Sequence, residues 1–192
     1  MPEPAKSMTP GRRRRTTVLV VVAVAVLIAD QATKMWAVHS LDPLRRPSFF
    51  GGFLTLHVVR NPGAAFSFAA GTTWVFTLVA LAVVVAIIRV ARRLRSWIWT
   101  VALALLLGGA LGNLGDRLFR EPGVARGHVL DFIDYHGWFV GNVADIAIVT
   151  GAILLLLLAG LGIAVDGTRV GGREDQAVEP NVVVPDVVDP NV

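Results

Sequence analysis

The chain has 192 residues, of which 54% are hydrophobic and only 17% charged, with a mean hydropathy of +0.63, whereas soluble domains carry about 25% charged residues. Apolar residues gathered into continuous runs of this kind exclude a soluble globular enzyme. The formal net charge of +4 sits at the ends of those runs, so membrane topology rather than nucleic acid accounts for it, and the lack of any cysteine excludes disulfides, thiolate nucleophiles and cysteine-ligated metals.

In chain order, residues 1–17 combine Pro2, Pro4, Pro10 and Gly11 with four consecutive arginines, Arg12, Arg13, Arg14 and Arg15, and read as a disordered basic tail. The first apolar span runs from 18 to about 38, interrupted by Asp30, Gln31 and Lys34. A cleaved secretory signal is the competing reading, but no small-x-small cleavage site follows the apolar stretch. The second span covers about 72–90, and a turn with Arg89, Arg92, Arg93 and Arg95 leads into a third at about 97–114. A fourth covers about 139–165. Each is long enough for the roughly 20 residues that cross a bilayer. By the positive-inside rule, the arginines at 12–15 and 89–95 lie in the cytoplasm, which puts both termini there and both long connections, about 39–70 and 116–138, outside.

Those outer connections contain strand formers. Phe53-Leu54-Thr55-Leu56-His57-Val58-Val59-Arg60 alternates in part, and His128-Val129-Leu130-Asp131-Phe132-Ile133 follows a Pro- and Gly-containing turn, so a small sheet outside the membrane is expected. The segment 166–192 mixes Pro and Val with Glu174, Asp175, Glu179, Asp186 and Asp189 and reads as a disordered acidic tail. There is no internal repeat. The fold class is therefore an all-α polytopic membrane protein of four helices with a small extracytoplasmic sheet, its single membrane domain at 18–165.

Between the tails the carboxylates are Asp30, Asp42, Asp116, Glu121, Asp131, Asp134 and Asp145. Ionisable groups at membrane depth are costly and are kept for a site, a pathway or an ion pair. Asp30, Asp116, Asp131 and Asp145 all fall near the outer ends of spans, which suggests one site. Asp30 and Lys34, four apart on a helix, can pair directly; a structural pair and a functional one are equally open. Asp131 and Asp145 could be brought together by a hairpin, and two carboxylates sharing one proton are what aspartyl proteolysis uses. On spacing alone that signal is weak, and a helix-capping Asp145 near Asn142 or a solvated Asp131 fits better.

Other chemistries lack their residues. No H-E-x-x-H pattern exists, and His39, His57, His128 and His136 are scattered over connections, which argues against a zinc peptidase. A serine–lysine pair would need Lys34 with Ser40, Ser48 or Ser67, none in an activating context. Asn113-Leu114-Gly115-Asp116 lacks the first glycine of a G-x-G-D motif. A small carrier using Asp30 and Lys34 would place its charges near the midplane, whereas these cluster toward one side. Gly108, Gly109, Ala110 and Gly112 read as a helix-packing stripe, and Trp97, Trp99 and Trp138 as interface anchors.

Five motifs occur in order: Asp30-Gln31-Ala32-Thr33-Lys34; Asn61-Pro62-Gly63-Ala64-Ala65-Phe66-Ser67; Gly108-Gly109-Ala110-Leu111-Gly112-Asn113-Leu114-Gly115-Asp116-Arg117; Val129-Leu130-Asp131-Phe132; and Asn142-Val143-Ala144-Asp145. Together, over about 30–150, they resemble the motif set of the lipoprotein signal peptidases, or signal peptidase II. The resemblance implies an aspartyl endopeptidase of the bacterial cytoplasmic membrane. Its active site would lie near the extracytoplasmic face. It would cut diacylglyceryl-modified prolipoproteins before the lipid-modified cysteine, and the cyclic peptide globomycin would inhibit it.

Carried over by motif position, the resemblance makes Asp131 and Asp145 the catalytic pair. It gives Asp116 a supporting role, and has Asn61, Gly63, Asn113, Arg117 and Asn142 bind substrate or orient the pair. Asp30 and Lys34 would brace the first helix and the floor of the site. It implies no cofactor, no metal and no nucleic-acid partner, and a monomer in contact with membrane lipid. Gly141 departs from the family pattern, which usually has Phe before the Asn, and puts the packing beneath Asp145 in question.

Overall fold

The computed structural model describes residues 10–63 and 73–169. The residues Ala64, Ala65, Phe66 and Ser67 of the second motif, and the parts of the expected tails at 1–9 and 170–192, lie outside the described residues. Four helices form the body: α1 (Pro10–Ser40), α2 (Thr73–Ala91), α3 (Trp97–Phe119) and α4 (Val143–Gly160). All four are long and apolar enough to cross a membrane. Valine-rich sequence such as that of α1 is a modest helix former in water, but in hydrocarbon every backbone N–H and C=O must find a partner within the segment, and the helix is the conformation that supplies one.

Helix α3 is the centre of the bundle, packing against α1, α2 and α4. Of its apolar stretch 56% is buried, against 17% to 22% for the other three. Its glycines make this possible. A Cβ added at Gly108 would lie 2.7 Å from the Ala23 carbonyl of α1, and one at Gly109 would lie 2.5 Å from the Ala144 carbonyl of α4, so the small-residue stripe is where two neighbouring backbones approach.

At one end of the bundle sits an antiparallel sheet of four strands in the order β1 (Ser48–Phe49), β2 (Leu54–Asn61), β3 (Val129–Tyr135), β4 (Phe139–Gly141). The four helices and the small sheet are both as expected, so the fold is a helical bundle carrying a sheet rather than all-α. In the β2–β3 register Val59 faces Asp131 and Asn61 faces Val129, with an irregularity between Leu56 and Val59. The β3–β4 turn uses His136 and Gly137, both at positive φ (56° and 77°), with Gly137 N–H donating to Asp134 Oδ1 at 2.7 Å.

Three boundaries differ from the sequence expectation. Helix α1 starts at Pro10 rather than 18, so the four arginines are helical. Thr16 and Thr17 bond back to the carbonyls of Arg12 and Arg13, and extending a formed helix costs far less than starting one. Helix α3 continues to Phe119, so Asp116 and Arg117 are helical and not part of the outer connection; an Asp116–Arg120 pair spans its last turn. Helix α4 begins at Val143, because Phe139–Gly141 is a strand and Asn142 is the helix cap.

Candidate active site

The site lies where the sheet meets the helix ends. Asp131 comes from β3 and is 2% exposed; Asp145 comes from the first turn of α4. The sequence brings the second one there through a capping box. The Asn142 side chain accepts from the Asp145 N–H at 3.1 Å, and Asp145 Oδ2 accepts from the Asn142 N–H at 3.0 Å, each satisfying a backbone donor that the helix start leaves unpaired. Asp145 is thus a capping residue, and the cap is also what fixes its carboxylate in the site.

Asn142, fully buried, joins the two acids. Its Nδ2 donates to Asp131 Oδ1 at 2.6 Å and to Asn113 Oδ1 at 3.2 Å, while Asn113 Nδ2 donates to Asp145 Oδ1 at 2.8 Å. The other oxygen of Asp131 accepts from Asn61 Nδ2 at 2.8 Å. Asn61 is itself aimed by its Oδ1, which accepts from the Gly63 N–H at 2.8 Å. Gly63 has φ +103°, and a Cβ there would strike the Phe76 ring at 2.5 Å, so no other residue suits the position. Both carboxylates are therefore held by neutral amides. Burial, against the bonds from Asn61 and Asn142 and with help from the charge of Asp145, pushes the Asp131 carboxyl up to about 6.

Beneath them lies a cluster of charges, fully buried except for Arg120. Lys34 Nζ is 2.8 Å from Asp30 Oδ2 and 2.7 Å from Asp116 Oδ2, and it donates to Asn113 Oδ1 at 3.1 Å. Asp30 Oδ1 accepts from the Ala144 N–H on α4 at 3.0 Å, and Asp116 Oδ2 from the Leu130 N–H on β3 at 3.1 Å. Arg120 closes the set on Asp116 Oδ1. Two acids and two bases thus tie α1, α3, α4 and β3 together. Lys34 is fully engaged with acids and Asn113, which leaves a serine–lysine mechanism and a carrier mechanism no free ammonium.

Two participants, Gln31 and Arg120, had no role in the sequence reading. Gln31 Nε2 donates to Asp30 Oδ2, Asp116 Oδ1 and the Gly112 carbonyl at 3.1 to 3.2 Å. The i, i+4 spacing of Asp116 and Arg120, the same as that of Asp30 and Lys34, was the available signal for Arg120. Arg117 makes no bond to either acid of the pair. Its guanidinium stacks over Phe76 at 5.4 Å, interacts electrostatically with Asp131, Asp116 and Asp145, and leaves Nη1 buried without a hydrogen-bond partner.

The Gly141 position is already occupied. A Cβ there would lie 2.5 Å from Phe139 Cε1 and 3.1 Å from Asp145 Oδ2, because the Phe139 ring, stacked on Tyr135 at 6.2 Å, folds over the glycine. A cleft of about 490 Å³ opens beside Asp131, lined by Val59, Arg60, Asn61, Pro62, Trp138 and Phe139.

The family profile described as Signal peptidase (SPase) II matches residues 22–160. The chain belongs to the signal peptidase II family. It is 51% identical over 162 residues to the lipoprotein signal peptidase of Rhodococcus jostii, covering 84% of this chain and 82% of that one. With the lipoprotein signal peptidase of Mycobacterium avium it shares 48% identity over 177 residues, 91% of this chain and 97% of the relative. A solved bacterial membrane enzyme, determined by the in meso method at 1.9 Å, superposes with a TM-score of 0.63 at 28% identity, covering 73% of this chain and 91% of that one. Family membership makes this chain a membrane-embedded aspartic peptidase of the lipoprotein signal peptidase class.

Proposed function

We propose that Asp131 and Asp145 are the catalytic pair, and the observation that carries this is their coupling through Asn142 and Asn113 with no cation bonded to either. A pair held by amides keeps a titratable proton; a pair bonded to Lys or Arg would be ionised throughout. In the working state one proton is shared. The ionised carboxylate takes a proton from a water as it adds to the scissile carbonyl, and the protonated one hydrogen-bonds the carbonyl oxygen. Collapse of the tetrahedral species passes a proton to the leaving amine, breaks the C–N bond and returns the pair to one proton.

The substrate we assign is a diacylglyceryl prolipoprotein, cut on the N-terminal side of its lipid-modified cysteine. Its signal helix would lie in the bilayer and its backbone in the cleft beside Asp131, within reach of Asn61 and Arg117. The arginines at 12–15 and 89–95 support cytoplasmic termini, with the sheet and the pair at the extracytoplasmic side of the cytoplasmic membrane. The residues 18–165 act as one peptidase domain, monomeric, needing no cofactor and inhibited by globomycin, with Asp30, Lys34 and Asp116 bracing its floor.

The test is cleavage of a purified diacylglyceryl prolipoprotein in detergent by wild-type protein and by Asp131→Asn and Asp145→Asn, with and without globomycin. The expected product carries a new N-terminal lipidated cysteine, is blocked by globomycin and is missing in both variants. Turnover retained by either variant rejects the pair.

A further inference from the structure

At the end of the bundle opposite the sheet, Arg14 and Arg15 of α1 both lie over the Trp97 indole, at 5.5 and 5.4 Å. Trp97 opens α3 directly after the turn that carries Arg92, Arg93 and Arg95, all exposed. None of these arginines, nor Arg12 or Arg13, forms an ion pair among the described residues. Among the described residues the one acid interacting there, exposed Asp166, feels Arg95 but has its Oδ1 taken by the N–H and hydroxyl of Thr168. The Nε of Arg15 is buried without a hydrogen-bond partner.

Like charges of this kind repel, and here they also sit in the first turns of α1, the positive end of its dipole, with no acid in the first turn. The ring of Trp97 offsets part of the repulsion by cation–π attraction. The rest calls for an anion from outside the chain, and the place is where a membrane-spanning helix enters the headgroup layer. We propose that Arg14, Arg15 and Trp97, with the arginines of the α2–α3 turn, form a binding site for the phosphate of an anionic phospholipid. The occupant is a lipid because Trp97 and the apolar helix faces just beyond it hold a glycerol backbone and acyl chains at the depth where the guanidinium groups meet the phosphate. The site is separate from the aspartate pair and does not rest on the reading of the active site.

The experiment is native mass spectrometry of the full chain in detergent with equimolar phosphatidylglycerol and phosphatidylcholine. Wild-type protein should retain phosphatidylglycerol over phosphatidylcholine about tenfold. Arg14→Gln/Arg15→Gln should lose most of that preference, and Arg45→Gln/Arg46→Gln, which removes the same charge from exposed positions near the sheet, should keep it. Trp97→Leu leaves every charge in place, so it guards against a misinserted arginine variant, and it should also reduce retention. Equal retention of both lipids by wild type, or an equal loss in the Arg45/Arg46 control, would overturn the proposal. So would selective retention that emerges only after residues 170–192 are removed, because the cluster would then belong to the chain's own acidic tail.

Discussion

Four aspartates meet beneath the sheet of this protein, and the chain holds them in two ways. Asp30 and Asp116 are 0% and 1% exposed and share Lys34 between them, with Arg120 as a second base. Asp131 is as deeply buried, but it and Asp145 are bonded to asparagine side chains and one backbone N–H. In the first group charges cancel and every oxygen is committed to holding helices together. In the second, charge is left uncompensated by any direct cation, which is what leaves a proton free to move. On the proposed assignment the difference between a brace and a catalytic pair lies in the partner, since the residue type is the same and Asp131 is as deeply buried as Asp30 and Asp116.

The sharpest way to break this comparison is to neutralise each group. Asp131→Asn or Asp145→Asn should lower cleavage by at least about a thousandfold, while the thermal unfolding of the detergent-solubilised protein moves by only a few degrees. Lys34→Met should do the reverse. It leaves buried Asp30 with no cation and Asp116 with Arg120 alone, and should destabilise the fold by about 3–5 kcal/mol, read as a large fall in unfolding temperature; adding Asp30→Asn should recover part of it. A thermally unaffected Lys34→Met protein would show that the lower cluster is no brace.

Asn142 tests the link between the groups. Asn142→Ala removes a helix cap, costing about 1 kcal/mol, and also an amide that supports ionised Asp131, so cleavage should fall by about 10–100-fold, more than the loss of stability accounts for. The pH dependence carries a sign. With the Asp131 carboxyl raised to about 6, kcat/KM should decline as pH rises through that region, because the shared proton is lost. Without the bond from Asn142, which favours the ionised form, the proton is held longer and the decline should move to higher pH. A decline that stays in place, or moves lower, contradicts the assignment.

The smallest effect concerns the wall of the site. Gly141→Phe should reduce cleavage by about tenfold through collision with the Phe139 ring and displacement of Asp145, roughly the cost of an overpacked position. Pairing it with Phe139→Ala should restore most of the activity. A double variant no better than the single one would mean that Phe139 does more than fill this space.

Much of the architecture is legible in hydropathy. The four spans stand out because a helix in lipid must be apolar over its whole length, and the strand character around 53–60 and 128–133 shows in β-branched and aromatic residues. The ends of the elements are not legible in the same way. Asp116 and Arg117 look like a polar connection until they are seen as the last turn of α3, with Asp116 buried against the Leu130 N–H of β3 and Arg120 capping the helix end. The two-residue and three-residue strands β1 and β4 are too short to leave a pattern, and exist because β2 and β3 offer them edges.

The order of the five motifs identified the family and marked Asp131 and Asp145, and the scarcity of carboxylates marked Asp30 and Asp116. Membrane character, the absence of thiol chemistry and the spacing of Asp30 with Lys34 followed from local sequence as well, because they depend on composition and on the helical repeat. Only the tertiary structure decided which acid received which partner. Lys34 reaches Asp116, Asn142 reaches Asp131, and Phe139 covers Gly141 through contacts set by helix packing and strand register, and those contacts separate the two pairs of aspartates that the sequence presents as alike.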